Sequence, residues 1–379
     1  YLLNRGQKKD IDFVTVGNGI LLAKELANKL GHTSQVSVFK RFGTAMFKYK
    51  DTDLEFVGAR KESYSEDSRK PHVEDGTLED DQKRRDFTIN TLAISMNKEN
   101  FGELIDPFNG VEDLNNKIIK TPLEPNVTYS DDPLRMMRAI RFAAQLEFEI
   151  EKKSFQAIID NAERINIVSF ERVMDEFQKI MMTDKPSVGL LLLEQSGLMQ
   201  HILPELVALK GIEEVEGQKH KDNFYHTLEV VDNISVNTDT DWLRWAALLH
   251  DIGKAVTKRF DKNVGWTFHS HEFVGSKMVL KLFRRLKLPL GPQVKYVQKL
   301  VMMSSRPIAV VTDDATDSAL RRLLFDAGED FDDLITLCKA DITTKNERKQ
   351  KRFKQNFEVV EQKIKDVEER DRVRNFQPP

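Results

Sequence analysis

Apolar residues recur with two different periods along this chain, and the change of period divides it. Near the start, Ile11, Phe13, Val14 and Val16 are β-formers, which predicts a strand. Residues two apart share a face of a strand, so Asp10 and Asp12 project together while Ile11 and Phe13 turn towards a core. A helical stretch follows over residues 19–30, then β-forming residues 37–49. A further strand over residues 53–57 alternates charged and apolar positions, placing Asp53 and Glu55 on one face and Leu54 and Phe56 on the other. Residues 61–83 are almost wholly polar without a period and read as a long loop. After Pro122 the strands vanish. Helical spacing marks residues 133–148, 152–162, 169–182, 186–198, 225–234, 242–250, 272–286 and 291–303. Residues 346–374 are highly charged with sparse apolar positions such as Phe353, Phe357, Val360 and Ile364, the pattern of a surface helix or arm. The fold class expected is α+β, a small α/β head followed by an all-α body.

Composition adds limits. At 40% apolar and 31% charged residues, the chain is of the globular class rather than disordered or membrane-embedded. Its longest apolar run, interrupted at Gly189, is too short to span a bilayer. The single cysteine, Cys338, excludes an internal disulfide and fits a reducing cytoplasm. No signal peptide is visible. A net charge of −3 neither requires nor forbids a nucleic-acid partner, so any basic surface must be local.

Several clusters carry candidate chemistry. Two carboxylates side by side on a strand repel unless a cation sits between them. An oxygen-only pair suits Mg²⁺, which completes its shell with water and phosphates. Alone, Asp10 and Asp12 would be an exposed strand end; Glu55 on a neighbouring strand would make a three-carboxylate nest. In Arg84-Arg85-Asp86-Phe87-Thr88-Ile89-Asn90, adjacent arginines suit a polyphosphate. Asp86 and Asn90, four apart, would share a helix face and hold a ribose hydroxyl. A capped helix start with solvated arginines is the plainer alternative. In Asp131-Asp132-Pro133-Leu134-Arg135, Pro133 fits a first helical turn with Asp132 near the N-cap. Arg135, Arg138 and Arg141 then form one slowly turning face, either a solvated basic stripe or a nucleotide contact.

The order D-x-D, Glu55 with Arg60, R-R-D-F-T-x-N and D-x-x-R-x-x-R-x-x-R-F resembles that of the CCA-adding tRNA nucleotidyltransferase and bacterial poly(A) polymerase family, over residues 1 to about 206. The resemblance implies a nucleotidyltransferase-type head with a mixed sheet and an elongated helical body. It implies catalytic metals on Asp10 and Asp12 and a nucleotide contact from Arg85, beside the third acid Glu55 and the ribose pair Asp86 and Asn90 read above. Asp132 and Arg135 would read the base, with Arg138 and Arg141 towards the phosphates, and residues 61–83 would be the mobile segment that switches from CTP to ATP. The family's glycine-rich strand ahead of D-x-D is read as missing, since the chain opens at Tyr1, and Asp131 replaces the usual Glu. A second centre is similar to HD-type metal phosphohydrolases: His226, His250 and Asp251, with Asp341 as fourth ligand of a divalent metal. His269 and His271 stand by as phosphate or second-metal ligands.

The expected layout is a head over 1–115, a helical neck and RNA-binding region over 116–210, an HD-type domain over 211–345 and a tail over 346–379. The expected activity is CCA addition to tRNA from CTP and ATP, with Mg²⁺, in the cytoplasm. The alternatives are poly(A) synthesis or C-only or A-only addition, an HD phosphohydrolase whose head merely binds RNA, and a non-catalytic RNA-binding protein.

Overall fold

A computed structural model describes the chain except for residues 1–9, 32–35, 41–42, 66–67, 313–315, 345 and 376–379. Lys8, Lys9 and the expected missing strand therefore lie outside the described residues. The chain forms two compact units, residues 1–135 with 149–161, and residues 136–148 with 162–379. The division falls inside a helix, later than the head boundary expected near residue 115.

In the first unit, β1 (Asp10–Thr15) turns into α1 (Gly19–Lys29), followed by β2 (Ser37–Phe39), β3 (Thr44–Tyr49) and β4 (Thr52–Gly58). The sheet order is β1-β4-β3-β2. Strand β1 runs parallel to β4, and β3 runs antiparallel to both β4 and β2, which is the mixed sheet expected. Residues 37–49 form a hairpin and not one strand, because Gly43 takes a left-handed φ of 63° at the bend. Phe56 is the centre of the core, stacked on Phe13 at 4.8 Å and on Phe47 at 5.7 Å. Ala23 and Ala27 of α1 bury against this sheet. Ile11 departs from the expectation: it is 47% exposed, since β1 is an edge strand among the described residues and its first half lies at the rim. Gly19 fixes the start of α1, because a Cβ there would stand 2.7 Å from the Val57 carbonyl carbon.

The polar stretch 61–83 is not a loop. It holds most of an antiparallel ribbon, β5 (Arg60–Ser65) with β6 (Ser68–Asp75), and a short helix, α2 (Leu78–Lys83), with a Thr77–Asp80 capping box. A ribbon held by ladder hydrogen bonds needs no apolar face, so period-two hydrophobicity is silent there. Next come a 3₁₀ turn at Thr88–Asn90, β7 (Ala93–Ile94), β8 (Leu104–Ile105), α3 (Gly110–Asn115), β9 (Ile118–Ile119) and α4 (Pro125–Asp131). Helix α5 (Leu134–Leu146) crosses into the second unit, and β10 (Glu149–Ile150) and α6 (Lys152–Asn161) return to the first.

The second unit contains α7 (Phe170–Met181), α8 (Pro186–Gln195), α9 (Leu198–Ile202), α10 (Pro204–Val207), β11 (Glu214–Val215), β12 (Gln218–Lys219), α11 (Asn223–Ser235), α12 (Asp241–Leu249) and α13 (Lys254–Thr257). It continues with β13 (Arg259–Asp261), β14 (Gly265–Thr267), α14 (His271–Arg285), α15 (Pro292–Met303), α16 (Arg306–Thr312), α17 (Asp317–Ala327), α18 (Phe331–Ala340) and α19 (Glu347–Asn375). Strands thus persist after Pro122 as two-residue and three-residue ribbons, too short for periodicity to register. The helix expected over 186–198 breaks at Gly197, whose φ is 81°. The charged tail is a docked helix and not an arm: Phe357, Val360, Ile364 and Val367 are buried, and α19 packs on α16 and α17. Among the described residues, no helix is long and apolar enough to cross a membrane.

One buried cation ties the helices that carry the second centre. Arg244 of α12 is 3% exposed. Its guanidinium donates to the carbonyls of Met181, Thr183, Ser235 and Thr238 at 2.8–3.2 Å, capping the C-terminal ends of α7 and α11. Arg244→Met leaves those carbonyls without donors, and unmet buried groups cost about 1–3 kcal/mol each. Chemical denaturation is expected to show a loss of about 3 kcal/mol or more, whereas a change within 0.5 kcal/mol would mean that the staple is dispensable.

Candidate active site and second metal centre

The head site follows from strand register. Parallel pairing sets Asp10 opposite Asp53 and Asp12 opposite Glu55, so Asp10, Asp12 and Glu55 share one face of two adjacent strands. Their electrostatics report the proximity. Burial, then the neighbouring Asp10, pushes the Asp12 pKa up, while Arg85 pulls it down. Burial, then Asp12 and Asp10, likewise raises Glu55. Three mutually repelling carboxylates form a site that a divalent cation would relieve, and oxygen-only donors fit a hard ion.

Arg85 is brought to this face by a residue that the sequence reading passed over. Asp81, fully buried, accepts from Arg85 Nε and Nη2 at 3.3 and 3.2 Å and from Arg84 Nη2 at 2.6 Å. Arg85 also donates to the Asn90 carbonyl at 3.1 Å. Arg84 turns away to Asp81 and Glu62, so the two arginines do not act as a pair. The signal was present: Asp81 stands three and four residues before them, helical contact distance. Asp86 and Asn90 do meet, through Asn90 Nδ2 donating to Asp86 Oδ1 at 2.9 Å. They meet across a 3₁₀ turn and not on the α-helix expected.

Asp132 accepts from Leu134 N at 3.3 Å, capping α5, and Arg135 Nη2 donates to the Arg84 carbonyl at 2.5 Å. Asp132 and Arg135 thus lie in the same unit as Arg85, with Arg135 on the turn that carries it. Arg141 belongs to the second unit, where its Nε lies 2.6 Å from buried Glu176 and its guanidinium covers the Phe142 ring at 4.1 Å. Arg138 lies over the same ring at 5.4 Å. The three arginines are therefore not one uniform face.

The second centre gathers residues from three helices. His226 sits on α11, His250 caps α12, and Asp341 caps α18. Ligand atoms of these three lie within 4.8 Å of one another, with His226 Nε2 at 2.8 Å and His250 Nε2 at 3.5 Å from Asp341 Oδ1. Asp251 lies at the edge of this group. Its Oδ2 is 3.3 Å from His250 and 3.7 Å from His226, and receives Lys254 Nζ at 2.6 Å. His271 Nε2 approaches the other oxygen at 3.4 Å, while His269 is exposed and is not among the cluster's ligand atoms.

Burial opposes charge on His250, but Asp251 and Asp341 outweigh it and push its pKa up to about 10. Burial would raise Asp251, yet His250, His271 and Lys254 hold it well below the usual carboxylate range. Asp341 is lowered against its burial by hydrogen bonds from His226 and His250. The pocket is built to hold positive charge. His250 Nε2 turns inward to Asp251 Oδ2 at 3.3 Å and Asp341 Oδ1 at 3.5 Å, while its Nδ1 donates to the Ala247 carbonyl at 2.7 Å, the orientation a metal-ligating histidine takes. Two imidazoles with carboxylates fit a divalent ion. Around His226 Nδ1, Lys221 Nζ lies at 2.8 Å and Thr343 Oγ1 at 3.0 Å. Sequence reasoning had no local signal for Thr343, which lies 117 residues away from its histidine.

Comparison with known proteins finds matches to three domain families along the chain. Residues 1–120 match the family described as the poly A polymerase head domain. Residues 147–209 match the probable RNA and SrmB-binding site of polymerase A, and residues 223–319 the HD domain. An A-adding tRNA nucleotidyltransferase of Deinococcus radiodurans is 36% identical over 272 residues, covering 70% of this chain and 60% of that one. The chain thus spans about three-fifths of that relative's length. A multifunctional CCA protein of Aliivibrio salmonicida is 32% identical over 293 residues, covering 74% and 67%. A crystal structure of a tRNA nucleotidyltransferase complexed with a primer tRNA and an incoming ATP analogue shares the fold. It has a TM-score of 0.64 at 23% identity, covering 95% of this chain and 92% of that one.

For the second centre, equilibration with Mn²⁺ followed by desalting is expected to retain metal that His226→Ala or Asp341→Ala loses, by elemental analysis. Loss of a ligand costs affinity steeply, at least the 10–100-fold typical of outer-shell changes. Unchanged metal content in both variants would remove the metal assignment.

The D-x-D head, the RNA-binding region and the HD domain, in this order and at these identities, place the chain in the CCA-adding tRNA nucleotidyltransferase and poly(A) polymerase family.

Proposed function

We propose that this chain adds nucleotides to the 3′ end of tRNA without a nucleic-acid template, completing CCA from CTP and ATP. The observation that carries the reading is Asp12 opposite Glu55, with Asp10 on the same face and Arg85 alongside. A module that only bound RNA would not set three carboxylates together facing a polyanion. Divalent ions, read as Mg²⁺, would be held by Asp10 and Asp12 and would supply charge neutralisation at the α-phosphate and acidity at the attacking hydroxyl. The 3′-oxygen bonds to the α-phosphorus as the bond to pyrophosphate breaks. Arg85, fixed by Asp81, presents its guanidinium to the phosphates, and the Asp86–Asn90 pair addresses the ribose.

Base choice falls to Asp132 and Arg135. Ionised Asp only accepts and Arg only donates, which matches the amino donor and ring-nitrogen acceptor shared by cytosine and adenine. Uracil and guanine present the opposite order. An A-only reading stands beside this one, because the Deinococcus radiodurans relative bears the name A-adding. The cytoplasm is the compartment this substrate implies. A second, phosphohydrolase reading attaches to the HD centre, on the convergence of His226, His250 and Asp341 ligand atoms within 4.8 Å.

The deciding assay offers tRNAs ending before C, CA or A to each of the four nucleoside triphosphates. Incorporation of both C and A supports CCA addition, A alone supports the A-only reading, and no incorporation sinks the proposal. Asp12→Ala is expected to abolish incorporation while the metal-free protein melts no lower, since removing one carboxylate relieves repulsion.

Asp81→Asn loosens Arg85 without touching substrate. The expected result is a higher KM for nucleotide, by about tenfold for the 1.4 kcal/mol of one charged hydrogen bond, with a smaller change in kcat. An unaltered KM would show that Arg85 holds its position without Asp81. Asp132→Ala and Arg135→Ala should each narrow the preference for CTP and ATP over UTP and GTP. By analogy with groove readout, a bidentate pair gives roughly 1–3 kcal/mol. A loss of rate at parental preference ratios would place base reading elsewhere.

A further inference from the structure

The distribution of charge in the second unit carries an inference that the two centres do not. From residue 273 to residue 312 the chain has eight lysines and arginines and no Asp or Glu, although acids outnumber bases in the chain as a whole by 61 to 58. Some of these cations are satisfied from elsewhere. Arg285 pairs with Glu205, Lys299 with Asp330 and Arg306 with Asp326. The rest line up. Helix α14 buries Gly275, Val279, Leu282 and Phe283 and packs on α15. Its opposite, exposed face reads Phe273, Lys277, Lys281 and Arg284, continued by Lys287 just past the helix end.

Among the described residues, Lys277, Lys281, Arg284 and Lys287 have no carboxylate within ion-pair distance. Lys277 instead lies 4.0 Å over the exposed Phe273 ring. From Lys277 to Lys287 the row is about 15 Å long at 1.5 Å per residue. At one end, α14 begins with His271, which reaches Asp251 of the HD centre at 3.4 Å. At the other, Arg284 and Lys287 line an open cavity of about 550 Å³ with Leu288, Leu290 and a single acid, Glu171.

Four unpaired cations in a line, closed at one end by an aromatic ring, suit a polymer with evenly spaced negative charge and stackable bases. A membrane surface would call for a broad apolar face beside the cations, and this row has exposed Phe273 at one end and Leu290 past the other, with none between. We propose that the exposed face of α14 binds the phosphate backbone of RNA, as a track in the second unit that leads to the His271–Asp251 edge of the HD centre. It lies outside the residues that match the RNA-binding family, 147–209. The inference rests on the reading that this chain handles RNA.

The test compares the full chain with the triple variant Lys277→Gln, Lys281→Gln, Arg284→Gln. A second triple, Lys351→Gln, Lys363→Gln, Lys365→Gln on α19, removes the same charge elsewhere. Affinity for a fluorescent single-stranded RNA is followed by anisotropy across salt concentrations. Each lost phosphate contact lowers the slope of log K against log salt by about 0.7 for a single strand, so the α14 triple should flatten it by about 2 and weaken low-salt binding at least tenfold. The α19 triple should match the parent. Nucleotide addition at saturating tRNA should persist in both.

Equal losses from both triples would overturn the track in favour of a net-charge effect, and an unchanged slope in the α14 triple would overturn it outright. A parent that adds nucleotides and binds RNA while the α14 triple does the same leaves the functional reading intact. A parent that binds no RNA at all fails both.

Discussion

The head depends on the register between β1 and β4. Parallel pairing fixes Asp12 against Glu55 and Asp10 against Asp53, and a slip of one residue would turn the acids into the core and the Phe13–Phe56 stack out of it. The two demands reinforce each other. The ring stack at 4.8 Å holds the register that the carboxylates, which repel, would not choose. Gly19 permits α1 to sit against the end of β4, so the packing that stabilises the sheet also rigidifies the face where charge is concentrated. Stability on one side of the strands thus sustains an electrostatically unfavourable cluster on the other, which a divalent cation would relieve.

The second centre meets a similar demand with different materials. There the acids are almost surrounded by cationic or ionisable partners: Lys254 on Asp251, His226 on Asp341, and His250 between the two. Its frame is helical, so no strand register aligns the groups. Alignment comes from buried fasteners such as Arg244, which draws the carbonyl ends of α7 and α11 onto α12. The head tolerates bare repulsion at an open strand edge. The buried centre cannot, because low dielectric magnifies every unpaired charge.

The sequence made legible whatever depends on a short repeat. The D-x-D spacing put two acids on one face, alternation in β4 put Glu55 beside them, and 3.6-residue spacing found α7, α8, α11, α12, α14 and α15 to within a few residues but not α16, α17 or α18. What stayed hidden depends on partners remote in sequence or on backbone alone. The β5–β6 ribbon has no apolar face to betray it. Two arginines in a row looked equivalent until Asp81 bound both and sent only Arg85 towards the acids. The α19 stripe of Phe357, Val360 and Ile364 was visible, but its burial needed α16 and α17, which sequence spacing does not locate.

Helix α5 shows how a single motif divides its labour. Its arginines recur every three residues, which suggested one face with one purpose. Yet the division between the two units falls just after Arg135. Asp132 and Arg135 are engaged within the first unit, at the helix cap and the Arg84 carbonyl. Arg141 is committed within the second, to buried Glu176 and the Phe142 ring. Buried Glu176 is shared between Arg141 and Lys179, whose Nζ donates to the other carboxylate oxygen at 3.2 Å. Arg141 therefore ties α5 to α7 within the second unit. The regular spacing thus carries arginines with different partners, Arg135 on the Arg84 carbonyl within the first unit and Arg141 on Glu176 within the second.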